Sequence, residues 1–210
     1  VRVAKEYLDY ADLAWIRQHR VGRGKIGGKA AGLVLAWKIL QSTLDRFCAT
    51  CQQINLIMPE TYFVGADVSY EFLQMNNLVK YLNQKYKDMD QIEAEYPEIQ
   101  AGHARGEFPP DVIRRFEELL SQVGNKPIIV RSSSLLEDNF GLSFAGMYES
   151  IFCPNQGTLA ENLEFLLQAI ARVYASIYNP DVLLYRKQQK VLDFDERMAI
   201  LLQVVQGQSY

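Results

Sequence analysis

Apolar residues between Lys29 and Phe47 fall at Leu33, Ala36, Trp37, Leu40 and Leu44, a three-and-four spacing that predicts one long helix with a buried stripe. Before it, Ala4 to Gln18 carries Leu8, Leu13 and Ile16 at looser helical spacing, and a glycine-rich turn runs from Val21 to Gly28. After it come two short apolar runs, Ile54 to Met58 and Tyr62 to Val64, broken by Pro59 and closed by Gly65, which predict strand, kink and strand. Asp67 is the expected N-cap of a helix from Val68 to Met75, and the polar stretch from Asn76 to Gln100 reads as further helix with few core positions. Pro109-Pro110 opens an amphipathic helix with Val112, Ile113, Phe116, Leu119 and Leu120 on one side, ended by Gly124-Asn125.

The second half of the chain alternates more quickly. Pro127 to Val130 is a short β-rich run expected to deliver Arg131 into a serine-rich loop reaching Gly146, followed by a strand-like run from Met147 to Cys153. A long helix is expected from near Thr158, burying Leu163, Leu166, Ile170, Val173, Tyr174 and Ile177, and another from Pro180 to Gln189. Arg197 to Gln206 reads as a buried strand close to the chain's end, so that the domain is expected to be truncated there. The fold class is therefore α/β, or α+β, with a mixed sheet flanked by helices.

Composition narrows the partners. The 210 residues have 49% hydrophobic and 22% charged side chains and a formal net charge of −3, which argues against a broad nucleic-acid surface. The apolar run from Met198 to Val205 is far short of the ~20 residues that cross a bilayer, so no membrane span is expected. Three cysteines point to a reducing compartment, the cytoplasm by default. Cys48 and Cys51 form a C-x-x-C with no second pair at metal spacing, and read as thiols at a helix end. His19 and His103, the only histidines, are expected at the surface.

Candidate chemistry lies in two places. Arg131, at the end of a strand and followed by Ser132, Ser133, Ser134 and then Ser143 to Gly146, offers a guanidinium fork, hydroxyls and open backbone N–H groups, the means of clasping phosphate oxygens. Glu137 and Asp138 would hold that loop folded or meet a magnesium ion indirectly. The alternative is a surface loop with Arg131 in an ordinary salt bridge. Gly27-Gly28-Lys29 opens a helix whose N-terminus favours an anion, with Lys29 adding a mobile charge; the alternative is a solvated turn. Walker A fails, because Arg23 and Ala30 stand where it needs glycine and a hydroxyl. Gly22-x-Gly24-x-x-Gly27 satisfies the dinucleotide pattern, but the residues before it look helical rather than strand-like.

In order and spacing these segments resemble the N-terminal nucleotide-binding domain shared by phosphoenolpyruvate synthases and pyruvate, phosphate dikinases. The resemblance rests on Gly27-Gly28-Lys29-Ala30-Ala31-Gly32-Leu33, on Met58-Pro59-Glu60-Thr61-Tyr62-Phe63, and on Arg131-Ser132-Ser133 with Glu137-Asp138 and Ser143-Phe144-Ala145-Gly146. It continues through Ala175-Ser176-Ile177-Tyr178, Tyr185-Arg186, Met198-Ala199-Ile200 and Gln203, and so spans roughly residues 27–206. Thr61 replaces the family's usual glycine, and Leu135-Leu136 replace small residues.

The resemblance implies the first part of an ATP-grasp domain: an extension over 1–26, a helix-rich part over 27–126, and a phosphate-loop and adenine-strand part over 127–210. It implies ATP and Mg2+ as cofactors, with Lys29 and Arg131 as the catalytic, phosphate-holding residues and Ser132 beside them. Ser143, Ala145 and Gly146 would close over the phosphates, and Gln203, Val204 and Val205 would meet the adenine through backbone groups. The family's magnesium ligands and phosphohistidine would lie outside this chain, so the fragment alone is not expected to turn over. Implied partners are therefore ATP, the second ATP-grasp half and the phosphohistidine domain, with a homo-oligomer as one option and neither nucleic acid nor membrane. The implied reaction passes phosphoryl groups from ATP through a phosphohistidine to pyruvate. A carbohydrate (glucan, water) dikinase has a similar ATP domain, including a segment like Ala145-Gly146-Met147-Tyr148-Glu149-Ser150, and a non-catalytic anion- or nucleotide-binding module is a further alternative.

Overall fold

The computed structural model of the chain describes residues 2–47, 56–136, 144, 146–194 and 196–207. The first helical stretch divides into α1 (Arg2–Tyr7) and α2 (Tyr10–Gln18), the latter opened by a capping box in which the carboxylates of Asp9 and Asp12 each accept the other's backbone N–H. A two-residue strand β1 (Arg20–Val21) and the long helix α3 (Gly28–Phe47) follow. Next are β2 (Thr61–Val64), α4 (Ala66–Met75), a 3-10 segment Val79–Tyr86, α5 (Met89–Ala104) and α6 (Pro110–Val123). The remainder is β3 (Ile128–Ser134), β4 (Ser150–Cys153), α7 (Leu159–Ala175), a 3-10 turn Ser176–Tyr178, α8 (Pro180–Gln188) and β5 (Met198–Val204). The expected strand over Ile54 to Met58 falls partly outside the described residues, as do Cys48 and Cys51; residues 56–58 form no strand.

The strands make one mixed sheet in the order β1-β2-β5-β3-β4, with β1 parallel to β2 and the other pairs antiparallel. The last strand in sequence is thus the middle strand in space. All of Met198–Val204 is buried, which explains the apolar run from Met198 to Leu202: a strand covered on both faces needs no polar alternation.

Helices α4 to α8 cover one face. Val64, Val130, Ile200 and Leu202 pack there with Phe72, Phe116, Leu166, Ile170 and Tyr174. Phe63 and Leu201 point the other way and meet Ala30 and Val34 of α3. The buried residues of α3 therefore differ from the expected stripe: Leu40 is 49% exposed and Ala36 is exposed too. Its start is fixed on the sheet, so burial follows the first two turns rather than the pattern's own best face. Among the described residues no helix is long and apolar enough to cross a membrane.

Two further expectations are corrected. Asp67 does not cap α4, whose N-cap is Gly65 with no side-chain bond. His103 is fully buried rather than superficial, its Nδ1–H donating to the Ile99 carbonyl at 2.8 Å and its ring lying between Phe72 and Tyr178. Its Nε2 has no partner, so protonation would bury an unpaired charge, and burial lowers the pKa from 6.5 to about 4. Between those values the unfolded chain takes up a proton that the native ring refuses, so stability is fully present above the unfolded value and falls as pH drops toward the folded one. The native state is expected to lose up to about 3 kcal/mol over that interval through this one residue. Urea midpoints from pH 7 to pH 4 should therefore fall less steeply for His103→Phe than for the wild type; parallel curves would remove His103 as the cause.

Candidate functional site

The serines after Arg131 do not form a loop. β3 continues through Ser132, Ser133 and Ser134, all three buried. Hydroxyls in a sheet interior must find partners, and here each does. The Ser133 hydroxyl accepts the N–H of Ala30 at 3.0 Å and donates to the Ile26 carbonyl at 2.8 Å, capping the start of α3 from a strand more than a hundred residues away in sequence. Ser134 donates to the Glu196 carboxylate and accepts the N–H of Leu136 at 3.0 Å. The Ser132 hydroxyl accepts from Lys29 Nζ at 3.2 Å.

Gly27 lets this joint close. It has φ of +82°, and a Cβ placed there would sit 1.6 Å from the Ser133 carbonyl oxygen. The turn before it is laced in the same way. The N–H groups of Arg23 and Gly24 donate to the two Asp67 carboxylate oxygens at 2.6 and 2.7 Å, and the Lys25 carbonyl accepts the N–H of Ala66 at 2.9 Å. A strand, β1, does precede this turn, contrary to the helical expectation. The dinucleotide reading still fails, because Asp67 already fills the anion position that a pyrophosphate would take.

Arg131 lies on the same side of the sheet as α3, since it pairs with Leu201 across β5. Its Nη1 donates to the Gln203 side-chain oxygen at 3.1 Å, and it makes no ion pair among the described residues. The salt-bridge alternative is thereby excluded for those residues. Lys29 and Arg131 thus come to adjacent positions of one strand, Lys29 through Ser132 and Arg131 directly.

The other expected site residues divide. Ser143 and Ala145, with Glu137 and Asp138, lie outside the described residues. Gly146 is exposed at φ +76° in a turn closed by the Met147 N–H donating to the Phe144 carbonyl at 3.1 Å. Val204 is buried in the helix-covered face, and its N–H donates to Glu60 while that of Val205 donates to Pro127. Those two N–H groups serve the fold, leaving other groups of this edge for any base. Thr61 fits without glycine: its φ is not positive, and its hydroxyl donates to the Pro59 carbonyl at 2.6 Å. Leu136 is a core residue that anchors the end of β3.

Two residues not singled out for a role shape the site. Phe144 is buried, stacked on Tyr148 with ring centres 5.6 Å apart and edge-on to Tyr185 at 5.1 Å, which ties it to the core. Asp67 is the other, and nothing in the sequence tied it to a turn some forty residues earlier.

The two cations, Lys29 and Arg131, suit an anion, and no group of three or more His, Cys, Asp or Glu able to hold a metal ion occurs among the described residues. Two large cavities lie elsewhere, about 590 Å³ between α2, α3 and residues 56–61 and about 320 Å³ beside residues 193–197; Lys29 and Arg131 line neither. The sequence profile described as pyruvate phosphate dikinase, AMP/ATP-binding domain, matches residues 23–209. The chain belongs to that family. Its match begins inside the glycine turn and takes in α3, the whole of β3 and β5, and both cationic residues. An ATP-binding domain of the pyruvate phosphate dikinase family therefore carries this joint between α3 and β3.

Gly27→Ala is expected to destabilise the domain by at least about 2 kcal/mol, since both the positive φ and the Ser133 carbonyl oppose a Cβ. Gly32→Ala, in the second turn of α3 with nothing within 4 Å of its added methyl, is expected to stabilise by about 0.5–1 kcal/mol. Denaturant midpoints at constant m-value measure both; a neutral Gly27→Ala would show that the α3–β3 joint is looser than drawn.

Proposed function

We propose that this domain grips the phosphates of ATP between Lys29 and Arg131 in a dikinase that passes phosphoryl groups through a phosphohistidine on another domain to pyruvate. The observation that carries the reading is the electrostatics of Arg131: a half-buried guanidinium held by a neutral amide, with no carboxylate partner among the described residues. A structural arginine is normally neutralised by its fold; one aimed by Gln203 keeps its charge for a ligand. Lys29 brings a second cation to the next residue of the same strand.

Phosphoryl transfer asks mainly for positioning and for neutralisation of charge on the transferred group. Lys29 supplies its charge from the first turn of α3 and Arg131 from β3, two regular elements that hold both groups in place. Mg2+ would offset the charge of the phosphates, and its acidic ligands would come from the second half of the ATP-grasp unit. In this reading Lys29 and Arg131 hold the phosphates, and the 203–205 edge faces the adenine. A carbohydrate acceptor fits the same ATP face, because the acceptor site belongs to another domain.

Calorimetric titration with MgATP, MgADP and inorganic phosphate tests the assignment. Arg131→Ala and Lys29→Ala are each expected to weaken MgATP by roughly ten- to a hundredfold, the loss of a charge-assisted contact of about 1.5–3 kcal/mol. Phosphate bound as tightly as MgATP would favour the non-catalytic anion module instead. Where the chain alone binds nothing, the same titration of the full-length gene product separates an incomplete site from a lapsed one.

A further inference from the structure

Asp67 is not among the residues expected to touch a nucleotide, yet it is tied to the element that carries Lys29. Its carboxylate accepts both N–H groups at the tip of the glycine turn, at 2.6 and 2.7 Å. The surroundings are fitted to it: a Cβ on Gly24 would lie 2.5 Å from the Asp67 carboxylate, and one on Gly65 would lie 2.3 Å from it. The rest of the turn is stitched to the same segment, with the Gly65 N–H donating to Val21 and the Ala66 N–H to Lys25, each at 2.9 Å. From Lys25 the chain passes directly into Ile26, whose carbonyl takes the Ser133 hydroxyl, then Gly27 against the Ser133 backbone, then Lys29.

The start of α3 is thus held at two points. Ser133 fixes it from the β3 side and Asp67 fixes the turn feeding it from the β2–α4 side. A chain that turns at glycines would otherwise sample many conformations, because glycine restricts φ so little. A charged acceptor taking two backbone donors is the strongest local restraint available to such a turn.

We propose that Asp67 is a positioning residue for the phosphate site, setting the path of the glycine turn and through it the placement of Lys29. This rests on the ATP reading for its consequence, though the restraint itself is independent of any ligand.

The test has two arms, both with the isosteric Asp67→Asn, which turns one acceptor oxygen into a donor, and with Asp88→Asn as control. Asp88 accepts the Gln91 N–H at the start of α5, a capping carboxylate of similar kind remote from the glycine turn. Without ligand, amide exchange at Arg23 and Gly24 and the Lys29 Cε resonance are followed by NMR. Asp67→Asn is expected to speed exchange at both amides and to move the lysine resonance, and Asp88→Asn to do neither. An unmoved Lys29 signal overturns the proposal.

With MgATP, Asp67→Asn is expected to weaken binding about three- to tenfold, to add little in a Lys29→Ala background and to keep its effect in an Arg131→Ala background. A purely structural aspartate would give the same increment in both backgrounds, and that result also overturns the proposal. Absence of MgATP binding by the wild type would count against the ATP reading alone, leaving the ligand-free arm to decide the role of Asp67.

Discussion

The Ser133 hydroxyl is the constraint on which the arrangement turns. It accepts one of the N–H groups that a helix start leaves unsatisfied and returns its own proton to a carbonyl of the preceding turn. Because the serine belongs to β3, the α3 helix cannot start anywhere but against that strand. The close approach at Gly27, the phase of the buried face of α3 and the reach of Lys29 to Ser132 all follow from it. A local cap such as Asp9 on α2 would stabilise a helix equally well, but it would not fix the helix relative to a sheet.

The same logic explains how three serines occupy a strand interior next to the central strand. Polar groups lower the cost of burial only when their partners are built in, and these partners belong to other elements: α3, Lys29 and the segment before β5. The sheet's polar end is therefore a junction as well as a surface. Arg131 lies one residue away from it and is aimed by Gln203 across β5, so its direction depends on the pairing of β3 with the strand that completes the sheet.

Much of the architecture was legible because its signals are local. The amphipathic α6, the apolar stripe of α7 and the apolar run of β5 each declare their element within a dozen or so residues. Lys29 and Arg131 were legible as chemistry, and the structure brings them to neighbouring positions. The readings that failed concern long-range polar contacts. Ser132 to Ser134 read as a loop because hydroxyls in sequence look solvated. Asp67 read as a cap because it stands one residue into a helix. His103 read as superficial because nothing local announces that Phe72 and Tyr178 close over it. In each case the partner is distant in sequence, and composition cannot supply it.

Two places in this chain look like anion sites, and only the fold distinguishes them. The glycine turn at 22–27 has the open backbone donors of a phosphate loop, but its donors are already met by the chain's own carboxylate, so it serves as a fixed support. The Arg131 guanidinium, by contrast, is met by an uncharged amide and, among the described residues, by no carboxylate. An internal anion removes a site, whereas an internal neutral partner orients one. By that criterion the glycine turn is a support for the start of α3, which carries Lys29, and the ligand-facing role proposed for this domain falls to Arg131.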